Sequence, residues 1–188
     1  MIKLDIFGKT FIFRFGFFTV IAIFCLLDAP ELAAVSACSC TVHELGHLFG
    51  AVLFDVRVKT VTFWAGGVKM VTERNLRPLS YDIIILLAGP LFNFISAMYM
   101  QFTGNTPALA VNLFLGIFNL LPFSELDGGS VLRLFFEHKM INPDIFMKIT
   151  AAVFSLILFL YLFISGNGNI TSYLTLLILL VSELAERK

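Results

Sequence analysis

Residues 31–54, ELAAVSACSCTVHELGHLFGAVLF, make an apolar run long enough to cross a bilayer, yet they carry His43, Glu44 and His47 near their middle. A helix rising about 1.5 Å per residue needs ~20 residues to span the hydrocarbon. An ionisable side chain placed there costs roughly 2.5–3.5 kcal/mol on insertion scales. Three such groups so close together read as a site built into a span.

Composition agrees with the membrane. The chain has 188 residues, 59% of them hydrophobic and only 14% charged, with a mean hydropathy of +0.92. A soluble domain needs more charge than this to cover its surface. The formal net charge is zero, so no basic bias points to nucleic acid. Cys25, Cys38 and Cys40 all lie in apolar surroundings and read as small core residues, not as a disulfide framework.

Outward from 31–54, five further apolar runs read as spans: Phe11–Leu27, Tyr81–Phe102, Pro107–Leu121, Ile145–Ile164 and Ile170–Leu184. The expected fold is an all-α polytopic membrane protein, one membrane domain over 1–188, with about six transmembrane helices. Ser130–Met140 reads as a short amphipathic piece. Residues 55–72 alternate in places, Val56 and Val58 against Arg57 and Lys59, and turn at Ala65-Gly66-Gly67. They predict a short β-hairpin between the second and third helices.

All thirteen Lys and Arg fall at the N-terminus, in 55–80, in 122–148 or in the tail, and the alternate connections carry none. The positive-inside rule then puts both termini and the long loops in the cytoplasm, with the bilayer as a partner. Lys3 and Lys9 ahead of an apolar run, with Val35-Ser36-Ala37-Cys38 beyond, resemble a lipoprotein signal. Asp28, Pro30 and Glu31 separate that box from the run, which argues against cleavage.

His43 and His47 are four apart, so a helix projects both imidazoles from one face. Zinc suits imidazole nitrogen, and Glu44 beside the pair is placed to take a proton from water. Buried polar groups also glue helices together. However, two of only three histidines fall in His-Glu-x-x-His register, which favours the metal reading. A catalytic zinc usually has three protein ligands, and chemistry alone leaves Asp127, Glu125, His138, Asp82 and Glu31 as candidates for the third. Asp127 stands out. Pro122 ends the fourth span, Gly128 and Gly129 suggest a sharp turn, and irregular backbone at membrane depth occurs where it lines a cavity. By the topology above, Asp127 and His47 also share the cytoplasmic side. Two other classes stay open on the residues alone: a metal-ion transporter, and a membrane protein with a structural metal site.

His43-Glu44-Leu45-Gly46-His47, Gly89-Pro90-Leu91-Phe92-Asn93, and Asn119-Leu120-Leu121-Pro122 leading to Leu126-Asp127-Gly128-Gly129 resemble the three signatures of the site-2 protease family of intramembrane zinc metalloproteases. The compact bacterial branch that includes the sporulation stage IV processing protease is the most similar. The resemblance covers residues 43–129 in order and implies a catalytic core over about 31–129. It implies His43, His47 and Asp127 as zinc ligands, Glu44 as general base, and Asn93 facing the active site, where it is a candidate donor to the developing oxyanion of the transition state. Asn119 matches the asparagine of the third signature, which makes it a candidate substrate-binding residue. The implied activity is hydrolysis of a peptide bond in or near the transmembrane segment of a membrane-bound regulatory protein, in a bacterial cytoplasmic membrane and with room for a regulatory membrane partner. Relatives often carry a PDZ or CBS domain, and none is expected after Ser182. Ser124-Glu125 departs from the apolar or proline residues the resemblance leads one to expect, and Glu125 is expected to face water.

Overall fold

The computed structural model describes residues 2–6, 9–13, 15, 30–64, 67–72, 78–139, 142–166 and 168–185. These residues form strands β1 (Ile2–Ile6), β2 (Lys9–Phe13), β3 (Val58–Trp64) and β4 (Gly67–Thr72). Their helices are α1 (Pro30–Leu53), α2 (Leu79–Thr103), α3 (Thr106–Asn119), α4 (Asp127–His138), α5 (Pro143–Ser165) and α6 (Ile170–Ala185). The chain divides into two compact units, Met1–Ile117 and Phe118–Lys188.

In the first unit α1 packs along α2. Proline at the first position of α1 has its φ preset for a helix, and Glu31 in the first turn complements the dipole. The helix ends in a Schellman motif. Asp55 takes a left-handed φ of 52°, Val56 N–H donates to the Ala51 carbonyl at 2.7 Å, and Asp55 N–H donates to Val52 at 3.1 Å. Gly46 and Gly50 face α2, and a Cβ on Gly46 would collide with the Ala88 carbonyl. Small residues of this kind let two membrane helices approach closely.

The hairpin expected in 55–72 is present as β3 and β4, but it belongs to a larger sheet with the order β1-β2-β3-β4. β2 pairs with β3 in parallel, Thr10 opposite Thr60 and Phe13 opposite Phe63. The span expected from Phe11 is therefore corrected at its start: Phe11–Phe13 are strand, and most of the remainder to Leu27 lies outside the described residues. Thr10, Phe11, Ile12 and Phe13 combine β-branched and aromatic side chains, which suit a pleated sheet as well as lipid. A further consequence is that β3 is an interior strand. Among the described residues only β1 and β4 are edges.

In the second unit α5 packs against both α4 and α6. The amphipathic helix begins at Asp127, earlier than the expected Ser130, so Asp127 lies in a helical first turn and not in irregular backbone. Gly128 and Gly129 do not turn the chain either, since neither adopts a left-handed φ. They are buried because the backbone passes close by. A Cβ on Gly128 would strike the Leu120 carbonyl, and one on Gly129 the Phe123 carbonyl.

Among the described residues two helices, α2 and α5, are long and apolar enough to cross a membrane, while α3 and α6 are shorter apolar helices. On α5, Leu156, Ile157, Leu160, Tyr161, Phe163 and Ile164 are all exposed. A water-facing helix does not present such a surface, whereas lipid satisfies it. Cys38 is exposed and Cys40 half-buried on α1, both as free thiols, so Cys38 is a surface residue and not a core one.

Candidate active site

His43 and His47 sit one turn apart on α1, both buried, with Nε2 atoms 3.0 Å from each other. Their rings meet edge to face, with centroids 4.6 Å apart at 84°. α2 supplies partners for both Nδ1 atoms. His47 Nδ1 donates to the Ile85 carbonyl at 2.8 Å. Pro90 lies inside α2, where a proline removes one ladder bond and pushes on the preceding turn. Ile85 belongs to that region of the helix. Gly89 makes room for the rings: a Cβ there would collide with His47 and crowd His43.

Asn93, one turn beyond Gly89, is fully buried. Its Oδ1 lies 2.7 Å from His43 Nδ1, and its Nδ2 donates to the Ser39 carbonyl at 3.1 Å and to Asn112 Oδ1 at 3.0 Å. Ser39 is a carbonyl acceptor, so the orientation of the Asn93 amide is fixed by chemistry: nitrogen towards Ser39, oxygen towards His43. Asn112, also buried, donates in turn to Ser39 Oγ and to the Ala108 carbonyl, each at 2.9 Å. Every polar atom in this cluster thus has a complementary partner, as a buried network requires.

This network sets the tautomers. A carbonyl and a fixed amide oxygen face the two Nδ1 atoms, so both Nδ1 carry hydrogen and each ring, in its neutral form, presents an Nε2 lone pair. The two Nε2 atoms lie 3.0 Å apart, close enough for their lone pairs to share one cation. Imidazoles held at Nδ1 and offered through Nε2 are the usual form of a histidine pair that ligates metal. The donor set fits a borderline-soft divalent ion such as zinc.

Glu44 lies between the histidines on α1 and is half-buried, with more access to the surroundings than either ring. Asp127 opens α4 in the second unit and is half-buried, and Asn119 closes α3. Of the other third-ligand candidates, Glu31 lies twelve residues before His43 on the same helix, about 18 Å along it. Glu125 and His138 are exposed, the latter at the far end of α4 from Asp127. Asp82 lies in the first turn of α2, one turn before Ile85.

Asn93 is where the geometry refines the expectation. Facing the metal pair, it acts on His43 as an acceptor, and both of its N–H donors are engaged by Ser39 and Asn112. An oxyanion-donor role is therefore not available to it. Ser39, Asn112 and the Ile85 carbonyl belong to no motif in the sequence. Serine and asparagine in apolar helices were the only available hints, and a backbone carbonyl offers none.

A scan against family models matches the description Peptidase family M50 over residues 32–109 and 106–162. The chain belongs to peptidase family M50. The match takes in α1, α2, α3, α4 and most of α5 of this M50 chain. Among curated relatives, Stage IV sporulation protein FB of Bacillus subtilis is 34% identical over 113 residues, which is 53% of this chain and 38% of that protein. A protein named zinc metalloprotease from Methanocaldococcus jannaschii is 33% identical over 114 residues, 54% of this chain and 33% of that one. The M50 chain thus spans about a third of the length of the curated relatives it matches. The site-2 protease structure from the same archaeon aligns with a TM-score of 0.71 at 23% identity, covering all of this chain and 95% of that one. This likeness establishes a shared fold.

Proposed function

We propose that this chain is the catalytic core of an intramembrane zinc metalloprotease that hydrolyses a peptide bond in or near the membrane span of a protein substrate. The observation that carries the proposal is the pair of Nε2 atoms turned towards each other, with both Nδ1 atoms held by Ile85 and Asn93, on a helix whose register reads His-Glu-x-x-His. Membership of a peptidase family and the names of the relatives support it.

In the proposed set His43 and His47 each offer a ring nitrogen and Asp127 a carboxylate oxygen, the usual count of three for a catalytic zinc. Zinc, when bound, supplies Lewis acidity that brings the pKa of water towards ~7 and polarises a carbonyl. Glu44 takes the proton from the attacking water and returns it to the leaving amine, as base and then acid. Its carboxylate suits this because it lies beside the histidines yet is less enclosed than they are. Asn93 and Ile85 keep the imidazoles in the ligating tautomer throughout.

A substrate helix hides its carbonyls in its own hydrogen bonds and has to unwind before it is cut. The extended segment is then held along the open edge of β4, by backbone pairing that reads no side chains. Arg57, Lys59 and Lys69 lie in the same region and suit anionic headgroups. The chain resides in a bacterial cytoplasmic membrane with six spans, both termini and the site on the cytoplasmic side, and the core in 31–129. Asn119 contacts substrate. A transporter would need several spans lined with polar groups, and α5 and α6 are almost wholly apolar.

Glu44→Gln decides between hydrolysis and a purely structural or transporting metal. Co-expressed with single-span membrane proteins and scored for substrate shortening, this variant loses cleavage while keeping zinc. Shortening that persists at the wild-type rate would refute the proposed chemistry.

A further inference from the structure

The departure at Ser124 has a partner at the other end of the second unit. Glu183, on α6, is 5% exposed and is the one charged residue of that helix. One of its carboxylate oxygens accepts the Ser124 backbone N–H and the other accepts the Ser124 hydroxyl, both at 2.7 Å. Burying a carboxylate is unfavourable unless it is hydrogen-bonded, and bonds to a charged acceptor are short and strong. Serine is suited to this task because one residue brings two donors that match two oxygens. A proline at 124 would bring neither.

The segment so held leads directly into Asp127. Phe123 is 1% exposed and packs edge to face on Phe154 of α5, with centroids 6.2 Å apart. Leu126 N–H donates to the Phe123 carbonyl, and Ser130 N–H to the Leu126 carbonyl, each at 2.9 Å. Gly128 and Gly129 press against the carbonyls of Leu120 and Phe123. Asp127 therefore follows a backbone fixed by a buried ring, by Glu183, and by close helix contact. The first and third of these are apolar or steric. Glu183 supplies the directional bonds.

We infer that Glu183 is a positioning residue which, through Ser124, sets the backbone that presents the Asp127 carboxylate to the metal. The inference rests on the proposal that Asp127 is the third ligand. It also gives Ser124 a role: its N–H and hydroxyl match the two oxygens of the carboxylate on α6.

Glu183→Leu, Glu183→Gln and Ser124→Ala test the inference, with Asp127→Asn alongside. Two readouts are taken on the full chain in detergent: amide hydrogen exchange in 120–130, and the rate at which EDTA strips zinc. Glu183→Leu is expected to raise exchange in that segment while leaving α1 unchanged, and to speed zinc loss about tenfold, in the range for groups that orient metal ligands. Glu183→Gln is expected to stay within about threefold of wild type, because the serine hydroxyl can reverse and accept from the new amide. Ser124→Ala removes one of the two bonds and is expected to fall between them. It serves as the test if Glu183→Leu does not fold. Unchanged exchange in 120–130 overturns the inference, and so does raised exchange with unchanged zinc loss in a protein whose Asp127→Asn variant loses zinc. If Asp127→Asn keeps zinc fully, the ligand assignment has failed and the positioning role falls with it, while raised exchange at 120–130 still marks Glu183 as the anchor of the loop.

Discussion

Replacing Asn93 with leucine removes the acceptor that fixes His43 while keeping the number and branching of the side-chain heavy atoms. The structure lets the consequence be worked out. His43 Nδ1–H loses its partner at 2.7 Å and Asn112 Oδ1 its donor at 3.0 Å, while the Ser39 carbonyl, inside α1 with its helical donor, loses an additional one at 3.1 Å. Each buried polar group left unsatisfied costs about 1–3 kcal/mol. The ring then has no reason to keep its hydrogen on Nδ1, and the other tautomer turns an N–H towards the metal position in place of a lone pair. Removing the group that orients a ligating histidine lowers metal affinity about 10–100-fold, equivalent to roughly 1.4–2.7 kcal/mol. Asn93→Asp separates the two contributions. It keeps an acceptor for His43 but sets an oxygen against the Ser39 carbonyl, so it is expected to hold zinc within about tenfold of wild type and to unfold more readily. Zinc affinity by chelator competition, with thermal unfolding in the same detergent, measures both. If Asn93→Leu binds zinc as tightly as wild type, the tautomer argument is wrong.

Gly89→Ala places a methyl group against the rings of His47 and His43, so zinc content and cleavage are expected to fall together although the side chain is small. Near-normal zinc in that variant would mean that α1 and α2 separate easily. Proline at Val68 or Met70 of β4 is expected to reduce cleavage several-fold at one of the two positions with zinc unchanged, because a proline deletes one edge donor without altering charge. Proline at Thr60 or Thr62 is instead expected to lower expression or stability, since β3 is interior. Charge reversal at Lys59 with larger effects than any β4 proline would identify the sheet as a lipid contact. Glu44→Gln is expected to retain zinc and lose proteolysis, as set out above.

The parts of this molecule that were legible in the sequence are those whose signal is local. The apolar run 31–54 became α1, the run 81–102 became α2, and alternation around Ala65-Gly66-Gly67 became β3 and β4. Four-residue spacing was enough to place the two imidazoles together, because helical geometry fixes it. What was not legible depends on distant partners. Phe11–Phe13 read as the start of a span until their pairing with Val61–Phe63 was visible, 50 residues away in sequence. Gly128 and Gly129 read as a turn, whereas they allow close backbone approach, and the two uses of glycine look alike in a sequence. Ser39, Asn93 and Asn112 come from three helices, so the network that locks His43 exists only after α1, α2 and α3 have packed. Ser124 read as an unexplained departure because Glu183 lies 59 residues on.

The central claim is that one zinc is held by His43, His47 and Asp127, and elemental analysis of purified protein tests it most directly. The account predicts about one zinc per chain in wild type and in Glu44→Gln, a near-complete loss in His43→Ala and His47→Ala, and a clear reduction in Asp127→Asn. Full zinc in Asp127→Asn together with loss in Glu125→Gln or His138→Ala would contradict it.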